Sequence, residues 1–189
     1  MEKFILASAS PRRRELLSGL VSRFCVQPSR FEEVPSGLPP ARTALSFAVG
    51  KAEDVAARFP GQIVLGADTV VSLGGDVLGK PRDAADAAAT LRRLSGRTHS
   101  VFTGICLIGR GKKLCATEES RVTFFELSDA LIAQYVASGL PLDKAGSYGI
   151  QDGYPLVRAL EGSYTNVVGL PVERVRTMLE ELGYVETCN

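Results

Sequence analysis

The run Ile63-Val64-Leu65-Gly66-Ala67-Asp68-Thr69-Val70-Val71-Ser72-Leu73 limits the possible folds more than any other stretch of this chain. An apolar run of this length predicts a strand covered on both faces, as in a layered α/β protein. Asp68 and Thr69 interrupt it. Asp is depleted in strands, and a buried carboxylate needs a cation, a metal or several donors. Asp68 therefore either caps a turn at the strand end or stands at the carboxyl end of a sheet strand, the usual mouth of an α/β site. There it could hold Mg2+, activate water, or do both.

The N-terminus adds a second constraint. Phe4-Ile5-Leu6 predicts a short buried strand. Ser10 suits a helix N-cap and Pro11 the first helical position. Glu15, Leu16, Leu17 and Leu20 continue a helical pattern. Arg12, Arg13 and Arg14 thus fall in the first turn, where cations oppose the helix dipole. An anion bound there would reverse that penalty, since amides and guanidinium groups would all donate to it. The stretch reads as a phosphate site or as a helix start with solvated arginines.

The remaining pattern interleaves helices and strands. Strands are predicted at 24–27, 77–79, 101–108, 114–117 and 121–126, and helices at 41–58, 83–94, 128–137 and 172–182. Ala44, Leu45, Ala48, Ala52 and Val55 give the 41–58 helix its apolar face. Residues 141–163 are rich in turn signals, and 166–171 open the last helix. The expected class is α/β, a mixed twisted sheet with flanking helices. The 189 residues suit a single domain, residues 1–189.

Composition excludes several functions. The net charge of +1 provides no global field toward nucleic acid or membrane. No run is long enough to span a bilayer and no signal-peptide pattern opens the chain, so a cytosolic protein is expected. The four cysteines (Cys25, Cys106, Cys115 and Cys188) show no metal-ligand spacing. Cys106 and Cys115 are expected to be buried thiols, and Cys188 a tail thiol. A single histidine, His99, excludes sites that need two and reads as a surface or structural residue. A hydrolase of this composition would use a carboxylate as its base.

Other residues gain meaning as a set. Lys80 sits between Gly79 and Pro81, Lys51 lies on the 41–58 helix, and Glu33 lies in a loop rich in Pro, Ser and Glu. Each alone is an ordinary surface charge. Joined with the first-turn arginines and Asp68, they suit hydrolysis of a polyphosphate. In Asp143-Lys144-Ala145-Gly146-Ser147-Tyr148-Gly149-Ile150-Gln151, glycines flank Ser147-Tyr148, and Gln151 offers both a donor and an acceptor for a base edge. A Gly-rich structural turn is the other reading of that stretch.

These stretches together resemble the Maf family of nucleoside triphosphate pyrophosphatases. The matching segments are 6–13, 51–52, 66–71, 79–81, 96–99, 103–104, 142–151 and 162–171. The resemblance implies a Maf/ITPase-like mixed α/β fold around a central substrate cleft, and a homodimer. It implies cleavage of a nucleoside triphosphate to the monophosphate and diphosphate with a divalent metal, Mg2+ or Mn2+. The family's acidic catalytic residue falls on Asp68. Its phosphate and specificity contacts fall on Ser8, Arg12, Arg13, Lys51, Thr69, Lys80 and Gln151. Glu33 is a further acidic position, a metal ligand alongside Asp68.

Ser-Pro-Arg-Arg, Ala-Asp-Thr and Gly-Ile-Gln are similar to the branch acting on dTTP and UTP rather than on 7-methyl-GTP. Two positions depart from the family pattern. Asp152 follows Gln151 where relatives place Gly, and Gly50 precedes Lys51 where many carry a charge, which is expected to loosen that helix. Competing functions are a non-catalytic nucleotide-binding regulator of cell division, a nucleic-acid module and a purine-directed pyrophosphatase. Near-zero charge argues against the nucleic-acid reading.

Overall fold

The computed structural model describes residues 2–34 and 37–184. Its strands are β1 (Phe4–Leu6), β2 (Phe24–Val26), β3 (Ile63–Leu73), β4 (Asp76–Leu78), β5 (Thr98–Gly109), β6 (Lys112–Phe124) and β7 (Val157–Glu161). Its helices are α1 (Pro11–Ser18), α2 (Pro40–Arg58), α3 (Ala84–Leu94), α4 (Asp129–Ala137), α5 (Tyr164–Val168) and α6 (Val172–Leu182). The strands form one sheet in the order β2-β1-β3-β5-β6-β7, with β4 also paired to β3. β2, β1 and β3 run parallel, and β3, β5, β6 and β7 alternate in direction. The expected mixed α/β class is observed.

β3 is the organising strand. Along one edge it pairs with β5 from Val64 to Ser72. Along the other it pairs with β1 only as far as Leu65, and with β4 only from Val71 onward. Between these partners that edge opens, and the chain leaves β1 there to enter α1. Asp68 lies in this interval. It sits mid-strand opposite Gly104, not at a strand's carboxyl end as expected. What ends beside it is β1, so the opening is still at the carboxyl end of a parallel strand.

The two faces of the sheet are covered differently. α2 covers one, burying Ala44, Ala48, Ala52 and Val55, the stripe its spacing predicts. Methyl side chains let it approach closely. A Cβ at Gly66 would lie 2.4 Å from the Ala48 carbonyl, and one at Gly104 2.4 Å from the Ala44 carbonyl. These two glycines are therefore the seat of α2. The other face carries two apolar clusters. One packs Leu6, Leu65 and Leu107 against Leu17 of α1 and Val175 and Leu179 of α6. The second packs Val71 and Val101 against Leu91 of α3 and Ile132 and Tyr135 of α4.

The sequence pattern misses three elements. β6 is continuous, where the pattern predicts two strands at 114–117 and 121–126. Glu118 and Glu119 break the apolar pattern, yet they pair in register with Thr103 and Phe102. β7 emerges from the stretch rich in turn signals, and α5 overlaps the residues expected to open the last helix. α5 is capped by Ser163, whose Oγ accepts from the Asn166 amide, and Gly169 at φ 130° separates it from α6. Cys106 is buried as expected, but Cys115 is exposed, with the two Sγ atoms 3.2 Å apart across β5 and β6. Cys188 lies outside the described residues. Among the described residues no helix is long and apolar enough to cross a membrane.

His99 is a buried structural residue, 2% exposed. Its Nε2 pairs with the Tyr148 hydroxyl at 2.7 Å, and its ring meets Phe124 and Tyr148 edge-on. Burial pushes its pKa from 6.5 down to about 4. The unfolded chain therefore binds a proton that the folded chain refuses, and stability falls as pH drops from 6.5 to 4. At about 1.4 kcal/mol per unit this histidine alone removes about 3 kcal/mol. Denaturant unfolding between pH 7 and 4 measures the loss, and His99→Gln is expected to flatten it.

Candidate functional site

A cleft of about 700 Å³ opens along the uncovered edge of β3. Ser8, Arg12, Arg13, Glu33, Lys51, Asp68, Thr69, Lys80 and Gln151 all line it, so every residue that the family resemblance assigns to the site reaches one cavity. Arg14 does not.

Alternation along β3 sends Asp68 and Thr69 to opposite faces. Asp68 points toward α2, where Gly66 and Gly104 admit the helix closely enough for Lys51 to meet it. Lys51 Nζ lies 2.6 Å from Asp68 Oδ1 and 2.6 Å from Glu33 Oε1. Asp68 is 7% exposed, and burial pushes its carboxyl above the usual carboxylate range against the pull of Lys51 and Arg13. A carboxylate with a raised pKa is a better base than an ordinary aspartate.

Glu33 arrives through an anchored loop. Asp54 of α2 accepts from Ser29 Oγ at 3.0 Å and from the Arg30 amide at 2.8 Å. The Phe31 ring then lies over Gly50, where an added Cβ would come within 2.3 Å of it, and beside Phe47. Gly50 thus seats the loop that carries Glu33, a role separate from the expected loosening of α2. Of the sequence signals, only the glycine's unusual place hinted at this.

On the opposite wall, Arg13 is held entirely by neutral oxygens. Its Nε donates to the Gly169 carbonyl at 2.9 Å, Nη1 to Ser8 Oγ at 3.2 Å and Nη2 to Thr69 Oγ1 at 3.0 Å. Thr69 Oγ1 in turn lies 3.0 Å from Thr103 Oγ1, and Thr103 Oγ1 donates to the Asn166 carbonyl. Arg13 makes no ion pair among the described residues, so its charge is left for an anion. Arg12 is instead paired with Asp143 at 2.9 Å. Lys80 is exposed and has no partner among the described residues.

The helix terminus contributes less than the sequence suggested. Ser10 Oγ accepts the Arg13 amide and the Ser10 carbonyl accepts the Arg14 amide. Pro11 has no amide hydrogen, so anion binding here rests on the guanidinium groups more than on the dipole end.

A network that the sequence did not reveal borders the far end of the cleft. Lys144 Nζ bridges Asp143 at 2.8 Å and Asp152 at 3.4 Å. Burial works against the Asp143 carboxylate, yet the bonds from Lys144 and Arg12 hold it below its usual range. Asp152 Oδ2 accepts from the Tyr135 hydroxyl at 2.6 Å, and its Oδ1 accepts from Gln151 Nε2 at 3.2 Å.

The described residues contain no group of three or more His, Cys, Asp or Glu able to hold a metal. Glu33 and Asp68 nevertheless converge on one cation, the Lys51 ammonium. Two such carboxylates would suit a divalent ion.

The Maf-like protein family model matches residues 3–182 of this sequence. The chain belongs to the Maf family. Among Maf relatives, a dTTP/UTP pyrophosphatase of Moorella thermoacetica is 50% identical over 97% of this chain and 96% of its own length. One of Koribacter versatilis is 49% identical over 95% and 94%, and one of Thermococcus gammatolerans is 49% identical over 95% and 96%. Among solved structures, the Staphylococcus aureus Ham1 protein shares the fold with a TM-score of 0.55 at 13% identity, covering 95% of this chain and 99% of that one. The Maf fold and the cleft described above thus span the same residues as the sequence match.

Proposed function

We propose that this Maf protein hydrolyses dTTP and UTP to the nucleoside monophosphate and diphosphate. The observation that carries this reading is the cleft's division of charge. A carboxylate of raised pKa beside Lys51 and Glu33 faces arginines, one of which, Arg13, has no carboxylate partner among the described residues. The half-identical relatives that bear this activity in their names support the same substrate.

In this reading, Asp68 takes a proton from water as its oxygen bonds to the α-phosphorus, and the bond to the bridging α–β oxygen breaks. Diphosphate leaves carrying the electron pair. Arg13, Arg12 and Lys80 receive its developing charge, and Ser8 and Thr69 fix the Arg13 fork. Glu33 and Asp68 would hold a divalent metal, Mg2+ or Mn2+, which supplies charge withdrawal from the phosphate oxygens when bound. Lys51 keeps the two carboxylates from repelling one another. Gln151 reads the base, and the protein works as a homodimer.

Diphosphate release with Mg2+ across dTTP, UTP, CTP, GTP and 7-methyl-GTP tests the proposal. Selective turnover of dTTP and UTP is expected. A purine preference, or no turnover with either Mg2+ or Mn2+, would overturn it.

A further inference from the structure

Asp152 is half-buried, with its side chain 7% exposed, and follows Gln151, which lines the cleft. Its hydrogen bonds are all received, as a carboxylate requires. The Tyr135 hydroxyl accepts from the Gly149 amide at 2.9 Å, so its one hydrogen is committed to Asp152 Oδ2. Lys144 approaches the same oxygen. Oδ1 is left for Gln151 and can only accept, so the end of the Gln151 amide that faces it must be the nitrogen, at 3.2 Å. An amide can normally flip and exchange donor for acceptor. Here the flip would set a carbonyl oxygen against a carboxylate. Gly149 makes the arrangement possible, because a Cβ there would lie 2.6 Å from both Asp152 Oδ1 and Gln151 Nε2.

We propose that Asp152 sets the base preference of the cleft by fixing which end of the Gln151 amide faces the nucleotide. The inference rests on the reading of Gln151 as the base contact. With its nitrogen turned toward Asp152, Gln151 presents its carbonyl oxygen outward. That oxygen accepts from the N3–H of uracil or thymine, which are imides. Cytosine carries a lone pair at N3 and repels it. Asp152 is thus a positioning residue, and it selects imide pyrimidines over amidine ones without touching the base.

In Asp152→Asn, Tyr135 and Lys144 still require an oxygen on their side, so the new amide nitrogen faces Gln151. Gln151 then turns its oxygen inward and its amino group outward, toward a base with an acceptor at N3. Asp152→Ser gives a hydroxyl that suits either orientation. The test is kcat/KM for UTP and CTP in the wild type, Asp152→Asn, Asp152→Ser and Gln151→Ala, with folding checked by thermal melts.

A wild-type preference for UTP is expected. It should fall by about ten- to a hundredfold in Asp152→Asn, the discrimination of one well-placed amide contact. Asp152→Ser, which removes the constraint without imposing the opposite orientation, should give a smaller fall. Equal use of UTP and CTP by the wild type, or an unchanged ratio in both Asp152 variants, overturns the inference alone. A ratio that survives in Gln151→Ala removes Gln151 as the base contact and the inference with it. Absence of pyrimidine turnover in the wild type overturns the proposed function itself.

Discussion

Asp68→Asn is expected to lower kcat by about two to three decades while leaving KM within a few-fold, the loss that follows removal of a general base. Asparagine keeps the shape and one oxygen acceptor but cannot take the proton from water. Two further readouts separate lost chemistry from a lost fold. First, the acid limb of the wild-type pH–rate profile should vanish in the variant, because asparagine has no titrating carboxyl. Second, stability should hold. A raised native pKa means the folded state binds this proton more tightly than the unfolded chain, so the charged form works against folding above that pKa. The substituted amide is neutral at every pH and Lys51 keeps Glu33 as its partner, so the variant should still unfold in one cooperative thermal transition at pH 7. Near-wild-type turnover would remove Asp68 from the chemistry.

Lys51→Met is expected to be costly to both fold and activity. It leaves Glu33 and Asp68 converging with no cation between them. Removing one partner of a buried ion pair costs about 3–5 kcal/mol, and because Glu33 is half open to water the loss should fall near the lower end. Its pH dependence has a definite sign. Without Lys51 the Asp68 carboxyl rises further, so the folded state gains relative stability as pH falls and Asp68 protonates. Chemical denaturation of the metal-free protein at pH 7 and pH 5 should show the deficit shrinking in acid. A deficit that grew in acid would mean that Lys51 does not compensate Asp68.

Much of the site is legible in the sequence because its residues break local rules. Asp68 stands in a strand that otherwise excludes charge. Arg12 and Arg13 occupy the end of a helix where cations are unfavourable, and Gly79 and Pro81 bracket Lys80. Such conflicts between a residue and its element mark places where something else must compensate. Asp68, Arg12, Arg13, Gly79 and Lys80 all line the cleft.

What is not legible depends on contacts distant in sequence. Nothing local shows that Asp54 anchors the 29–30 turn, or that Gly50 lacks a side chain so that Phe31 can lie on it. The Arg12–Asp143–Lys144–Asp152 network likewise joins the first helix to the 143–152 segment. The fold shows the same division. α2 can be read from its alanine stripe, and β3 from its apolar run. β7 cannot, because its burial is incomplete on an edge of the sheet and its pattern does not alternate. β6 reads as two pieces since Glu118 and Glu119 interrupt its apolar pattern. The expected end-of-strand place for Asp68 fails for a topological reason, as the strand that ends there is its neighbour, β1.

The most direct test is the position of the new oxygen after hydrolysis of UTP in 18O-labelled water, followed by mass spectrometry of both products. Attack of Asp68-activated water on the α-phosphorus predicts one labelled oxygen in the monophosphate and none in the diphosphate. Label in the diphosphate, or formation of nucleoside diphosphate and inorganic phosphate, would contradict the account.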